Sequence, residues 1–231
     1  MSTTLAPGDR TAREIFAPIA SNYDRWSAVL SMGQDPRWRA AMVARLDISP
    51  DARVLDVAAG TGLITRLVGQ RAHQVVSLDV SAEMLGVAHR RGAAAVLATA
   101  ERLPFADASF DALTFGYLLR YVPAPLDAMR ELARVLQPGG TIGMVEFGRP
   151  RGIWRPLWWL FTRFVLPAAG AAAGRGWSKV GRFLGPSIDA FVDRYPDDEA
   201  LTGLWEAAGL IDIHIARPSL GGGLLMWGRR P

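Results

Sequence analysis

The sequence of 231 residues contains no cysteine. Disulfides, zinc–thiolate centres and a cysteine nucleophile are therefore excluded. Lysine is nearly absent too. Lys179 is the only one, so the net charge of +4 rests on arginine. Beside so much alanine, this bias reads first as compositional and only second as the mark of an anionic partner. The N-terminus carries no apolar run of the kind that leads secreted chains, which predicts a cytoplasmic protein. Histidine is scarce and sits outside any motif: His73 at a helix end, His89 within a helix, His214 in a late strand. Histidine catalysis and a metal site are not expected. What is abundant is apolar residue, at 50% of the chain. That is enough core for one α/β domain with a small appendage. Disorder is expected only in the first few residues, within MSTTLAPGD.

The chain has no internal repeat. Residues 10–46 carry Ile15, Phe16, Ile19, Tyr23, Val29, Leu30, Met42, Val43 and Leu46 at roughly helical spacing, with Pro18 and Pro36 expected to break the stretch. Short β-rich runs then alternate with helical ones. Strands are predicted at 53–58, 74–79, 94–98, 110–116 and 141–147, and helices at 62–71, 82–91 and 126–135. That alternation implies parallel strands joined by right-handed crossovers. Pro138-Gly139-Gly140 reads as the turn that launches the fifth strand. A helix at 197–208 and strands near 211–216 and 224–229 follow. They are expected to form an antiparallel hairpin on the sheet edge. The fold class is thus α/β: a doubly wound, mostly parallel, seven-stranded Rossmann-like sheet with an antiparallel C-terminal hairpin. Four parts are expected: a helical cap at 1–50, the ligand-binding core at 51–148, an aromatic-rich insertion at 149–196, and a completing helix and hairpin at 197–231.

Residues 54–62 read VLDVAAGTG, a buried strand running into a Gly-x-Gly turn and a helix. Glycine lets the backbone approach a ligand closely at the C-terminal end of the strand. The next strand ends in Asp79, where an acid can accept from both hydroxyls of a ribose. A helix N-cap is the competing role for Asp79, and Ser81 contests it. A dinucleotide fingerprint wants a third glycine where Thr65 stands, so an NAD-dependent oxidoreductase is disfavoured. The P-loop pattern fails because no Gly-Lys-Ser/Thr follows. S-adenosylmethionine (SAM) has no pyrophosphate and needs no phosphate cradle. The candidate cofactor residues are Asp56, Gly60, Thr61 and Gly62 from the first strand and its turn, then Asp79, Val80 and Met84 from the second strand and the helix after it. Thr99, Ala100, Glu101 and Gly116 join them from the ends of strands three and four.

Residues 14–39, 54–62, 79–85, 100–105, 109–122, 131–147 and 186–191, with the closing Leu-Gly-Gly-Gly, resemble the ubiquinone/menaquinone biosynthesis C-methyltransferases, over about nine tenths of the chain. The resemblance implies a class I SAM-dependent methyltransferase with a quinol ring carbon, as in demethylmenaquinol, for its acceptor. It implies SAM contacts at Thr61, Asp79, Thr99, Ala100 and the end of strand four. It departs from the usual pattern at Ala59, Leu63, Thr99, Tyr121 and 181–185. The last two departures lie where the acceptor would be recognised. They keep open a rival reading, methylation of another small aromatic or natural-product metabolite. A nucleic-acid methyltransferase is disfavoured because no motif for a flipped base is present and the basic residues are scattered. A non-catalytic membrane-binding module would leave the cofactor motif unexplained.

Methyl transfer to an aromatic carbon needs an in-line geometry and an ionised neighbouring hydroxyl. Arg120 is the candidate for favouring that anion, as the resemblance also implies, with Tyr121 touching the same hydroxyl. Tyr23, Tyr117 and Glu146 are candidate acceptor contacts. For Tyr23 and its neighbour Asp24, a packed aromatic and an N-cap are equally weighted. Residues 153–166, IWRPLWWLFTRFVL, are too short and too charged to span a bilayer. Their Trp and Arg suit peripheral contact with the inner face of a membrane, or a lid over a prenyl tail. Trp154, Trp158 and Trp159 are expected among headgroups, and Phe161 and Phe164 in the acyl boundary. A homodimer is left open.

Overall fold

The computed structural model describes residues 7–231, except for the side chains of Pro7, Asp9 and Arg175. Of residues 1–9, where disorder is expected, 1–6 lie outside the described residues and 7–9 are helical, against that expectation. Pro7, Gly8 and Asp9 open helix α1 (Pro7–Phe16), and a 3₁₀ turn (Ala17–Asn22) with Pro18 near its start leads to α2 (Tyr23–Leu30) and α3 (Gln34–Val43). The break before α3 falls at Met32 and Gly33, both with positive φ, and not at Pro36. Pro36 lies in the first turn of α3, where a missing N–H costs nothing.

The central sheet has seven strands in the order β3-β2-β1-β4-β5-β7-β6. They are β1 (Arg53–Val57), β2 (Gln74–Asp79), β3 (Ala94–Leu97), β4 (Phe110–Gly116), β5 (Leu136–Phe147), β6 (Ile211–Ala216) and β7 (Gly223–Arg229). The first five run parallel, and β7 pairs antiparallel with both β5 and β6. The expected C-terminal hairpin forms, but its second strand enters the sheet first and leaves β6 at the edge. Strand β5 also begins earlier than expected. It runs from Leu136 through Pro138-Gly139-Gly140, which forms an irregularity against β4 and not a turn ahead of the strand.

Side chains alternate across this sheet, as the two-residue period of a strand requires. Leu55, Val57, Leu113, Phe115, Ile142 and Met144 face one core, with α6 (Pro125–Val135) and α10 (Asp198–Ala207). Val54, Ala112 and Val145 face the other, with α3 and α4 (Leu63–Val68). Both faces are covered, which explains why these strands read as continuous apolar runs. Asp56 lies within this packing. It accepts hydrogen bonds from Thr65 (2.7 Å) and Thr114 (2.9 Å), and so ties β1 to α4 and β4. Burial pushes its carboxyl up to about 6.

The insertion folds as helices. A short turn (Gly152–Trp154) leads into α7 (Arg155–Leu160), a π-helical segment (Phe161–Val165) and α8 (Leu166–Ala173). Pro167 lacks the N–H that an α-helix would donate to the carbonyl of Arg163, which accounts for the widened turn. Helix α9 (Arg175–Arg194) returns antiparallel against α8 and packs Trp177 and Val180 onto Ile15 and Ile19 of the N-terminal cap. Cap and insertion thus close over the C-terminal ends of the parallel strands.

Candidate functional site

The strand order reverses between β1 and β4, the switch point where doubly wound sheets bind ligands. Two non-glycine residues, Ala58 (φ +54°) and Tyr117 (φ +58°), hold left-handed conformations there, directly after those strands. Such backbone costs on the order of 1–3 kcal/mol and persists where surrounding structure enforces it. Gly60 (φ +58°) and Gly62 (φ +82°) complete the turn, and a Cβ on Gly62 would lie 3.2 Å from that of Ala88 on α5 (Ala82–Arg90). Glycine here therefore meets both a backbone and a packing demand.

A pocket opens against this turn. Gly60, Thr61, Asp79, Val80, Met84, Ala100 and Gly116 line it, with Tyr23, Tyr117 and Tyr121 at one side and Ala12 and Phe16 of α1 above. Asp79 accepts from the backbone N–H of Gly60 and of Ser81, each at 2.8 Å. Burial raises its carboxyl pKa and those amides pull it back. The N-cap of α5 is Ser81, so Asp79 is free of that competing role. Each carboxylate oxygen retains lone pairs for ribose hydroxyls. The walls beside the glycine turn are mainly alanines, glycines, leucines and methionine, which suit an adenine and a sulfonium, and the arginine on the lining, Arg39, is already paired with Asp35. SAM fits these residues.

Four residues expected at the cofactor stand elsewhere. Asp56 belongs to the hydroxyl network described above. Gly62 packs on α5, Thr99 makes an isolated β-bridge with Arg102, and Glu101 turns both carboxylate oxygens into a buried position off the pocket wall. Asp24 does not line the pocket either, but it touches a residue that does. It accepts from Thr61 Oγ1 at 2.5 Å and pairs with Arg91 at 2.7 Å, so the cap is tied to the glycine turn.

A second cavity, of about 390 Å³, adjoins the first and shares Phe16, Tyr23 and Tyr117 with it. Its walls are almost wholly apolar: Leu30, Trp38, Phe147, Trp158, Phe161, Trp177, Val180 and Ile188 among others. Polar groups gather where the two cavities meet. The Tyr117 hydroxyl donates to Asp35, and Arg39 Nε donates to the same carboxylate oxygen at 2.8 Å. Burial, reinforced by Asp35, holds the Tyr117 hydroxyl well above its usual pKa. Burial works against the charge of Arg39, but Asp35, Tyr117 and Tyr23 together outweigh burial and keep the guanidinium protonated. Arg120 lies nearby over the rings of Tyr117, Tyr121 and Phe147. It donates from Nε to Glu146 (2.9 Å) and from Nη1 to Ser187 (2.8 Å). Burial pushes the Glu146 carboxyl upward, and the contact with Arg120 pulls it partly back.

Among the expected acceptor residues, Arg120, Tyr23 and Tyr117 reach the second cavity. Glu146 does not line it and acts through Arg120, while Tyr121 lines the cofactor side, stacked on Phe183. Burial pushes the Tyr121 hydroxyl up to about 12. Sequence reasoning missed Asp35, Arg39 and Ser187. Asp35 and Arg39 are four apart on α3, a spacing that puts an acid and an arginine on one helix face.

The insertion has two faces. Trp158 and Phe161 line the second cavity, against the expectation that they meet lipid. Ile153, Trp154, Leu157, Trp159, Leu160, Phe164 and Val165 are exposed, and Met32 and Leu220 extend the apolar surface beside the cavity mouth. Among the described residues no helix is long and apolar enough to cross a membrane.

Comparison with known proteins accords with this geometry. The profile of the ubiE/COQ5 methyltransferase family matches residues 5–228. The demethylmenaquinone methyltransferase of Renibacterium salmoninarum is 37% identical over 91% of this chain and 87% of its own length. The ubiquinone/menaquinone biosynthesis C-methyltransferase UbiE of Desulfotalea psychrophila is 34% identical over 93% of this chain and 88% of its own. Among solved structures, a SAM-dependent methyltransferase of Thermotoga maritima, described as a possible histamine N-methyltransferase, superposes with a TM-score of 0.64 at 19% identity. It covers 95% of this chain and 99% of its own. Sequence match and pocket geometry agree: the chain belongs to the ubiE/COQ5 methyltransferase family and takes its methyl group from SAM.

Proposed function

We propose that this enzyme methylates a ring carbon of a prenylated quinol such as demethylmenaquinol, which it meets at a membrane surface. The observation that carries the reading is the second cavity. It is apolar along its length, polar where it meets the cofactor pocket, and bordered at its mouth by Trp154, Leu157, Met32 and Leu220, all exposed. A quinol ring fits the polar end and an isoprenoid tail the rest. The names of the relatives point to the same acceptor class.

Bound SAM supplies an electrophilic methyl on its sulfonium sulfur. Phe16, Tyr23 and Tyr117, shared by both cavities, hold the ring against that methyl, which is mainly a positioning effect. Arg120 faces the ring as a hydrogen-bond donor, held by Glu146 and Ser187. The exposed face of the insertion rests among lipid headgroups, with Arg155 and Arg163 drawn to anionic lipid.

The test is methyl transfer from labelled SAM to three acceptors in lipid vesicles: demethylmenaquinol, its tail-less ring, and an unrelated small phenol. Product from the prenylated quinol, well above that from the tail-less ring, is expected. Transfer to the small phenol alone refutes the proposal and favours a soluble metabolite as acceptor.

A further inference from the structure

We infer that Asp35 takes the proton from the ring hydroxyl of the acceptor as the methyl is transferred. The inference rests on the acceptor class proposed above. Asp35 is 2% exposed, yet its side chain is part of the second cavity's wall. Its Oδ1 accepts from both Arg39 Nε and the Tyr117 hydroxyl. Its Oδ2 is buried with no hydrogen-bond partner among the described residues. A buried carboxylate oxygen without a partner is costly, and such groups persist where a ligand completes them.

The charges at the junction make the same point. Arg39 is paired with Asp35, and Arg120 with Glu146. Each guanidinium is already held by a carboxylate, so the positive charge left beside the ring is that of the SAM sulfonium, and the ring proton still needs a receiving group. Glu146 is the other candidate. Its Oε2 is likewise buried without a partner among the described residues, so the cavity decides between the two: Asp35 lines it and Glu146 does not. The remaining groups around Asp35 are Arg39 on its own helix, Tyr23 on α2, Tyr117 after β4 and, further off, Arg120. Both tyrosines are held protonated by burial, so neither is a base.

The step balances as follows. A carboxylate is a far weaker base than a phenolate, so the proton moves to Oδ2 while the carbon–carbon bond forms. The ring carbon beside the hydroxyl gains the methyl, and the sulfur keeps the electron pair of the broken sulfur–carbon bond. The hydrogen on that ring carbon then leaves to water, and Asp35 returns its proton to the ring oxygen. The net change is one methyl transferred and one proton released.

The experiment compares the wild type with Asp35→Asn on the vesicle-borne quinol, with SAM affinity measured by calorimetry. Asparagine keeps an acceptor for Arg39 and Tyr117 but removes the basic oxygen. Loss of a general base lowers turnover by roughly 10²–10⁴-fold. At least a hundredfold fall in kcat, with unchanged SAM affinity, is expected. An active wild type with Asp35→Asn within about threefold of it overturns this inference alone. A wild type inactive on the quinol overturns the acceptor reading and this inference with it. If Asp35→Asn fails to fold, the wild type decides through the solvent isotope effect on kcat. A proton that moves as the methyl is transferred slows turnover in heavy water, and equal turnover in the two solvents overturns the inference.

Discussion

Replacing Glu146 with glutamine is expected to destabilise the fold by about 3 kcal/mol. The ion pair it breaks is sealed: the side chains of Arg120 and Glu146 are 2% and 0% exposed, with Nε and Oε1 2.9 Å apart. Charges about 4 Å apart at an effective dielectric near 20 attract by roughly 4 kcal/mol. Glutamine keeps an oxygen for the Phe147 amide and Arg120 Nε, and this returns about 1 kcal/mol. The Arg120–Ser187 bond remains, so the arginine stays in place as a buried cation without its counter-charge. The assay is urea unfolding. With an m-value of about 3 kcal/mol/M for a chain of this size, the midpoint falls by about 1 M. The double variant Arg120→Met, Glu146→Leu removes both charges and is expected to be more stable than Glu146→Gln, because no uncompensated charge is left. It should also lose turnover while still binding SAM. A midpoint shift below about 0.3 M for Glu146→Gln, or a double variant less stable than the single, would refute the account of a sealed pair.

Asp79→Ala is expected to weaken SAM binding by roughly 1–3 kcal/mol, since two ribose hydroxyls lose a charged acceptor; calorimetry showing unchanged affinity would remove Asp79 from the site. Trp159→Ser with Phe164→Ser, at side chains 52% and 58% exposed, is expected to abolish co-sedimentation with anionic vesicles and spare turnover on a tail-less quinol. Equal partitioning of variant and wild type would show that this face does not meet lipid. Asp56, raised to about 6 by burial, binds its proton more tightly folded than unfolded. Its contribution to stability is thus full at low pH and lost as pH rises through about 6. The wild type should therefore lose stability relative to Asp56→Asn by a few kcal/mol between about pH 4 and 7, and a pH-independent difference would refute the shift.

The parallel core was legible because its signals are local. VLDVAAGTG carries strand, turn and helix start within nine residues, and Asp79 follows at the end of the next strand. Burial on both faces makes such strands stand out as apolar runs, and a Gly-x-Gly turn, which alone would fit any tight turn, gains meaning from the acid that ends the next strand. The insertion was legible only as an aromatic excess. Its period alone did not separate Trp158, which lines the cavity, from its neighbour Trp159, which faces outward. The break at Gly33 was misplaced because proline is a stronger local signal than glycine, although Pro36 is harmless in a first turn.

Some things, then, the sequence determined by itself: the doubly wound class, the cofactor turn with its acid, and the presence of a closing hairpin. The tertiary structure decided the rest. It set β7 and not β6 against β5, where β7, buried along most of its length, fills the interior place and the more exposed β6 takes the edge. It turned Glu146 from a substrate contact into the counter-charge of Arg120, and Tyr121 toward the cofactor. It brought Asp35 and Arg39 of the cap against Tyr117 of the sheet, 82 residues away in the case of Asp35. No local pattern announces such a meeting, because the partners of a buried charge are chosen by packing across the fold and not by neighbours along the chain.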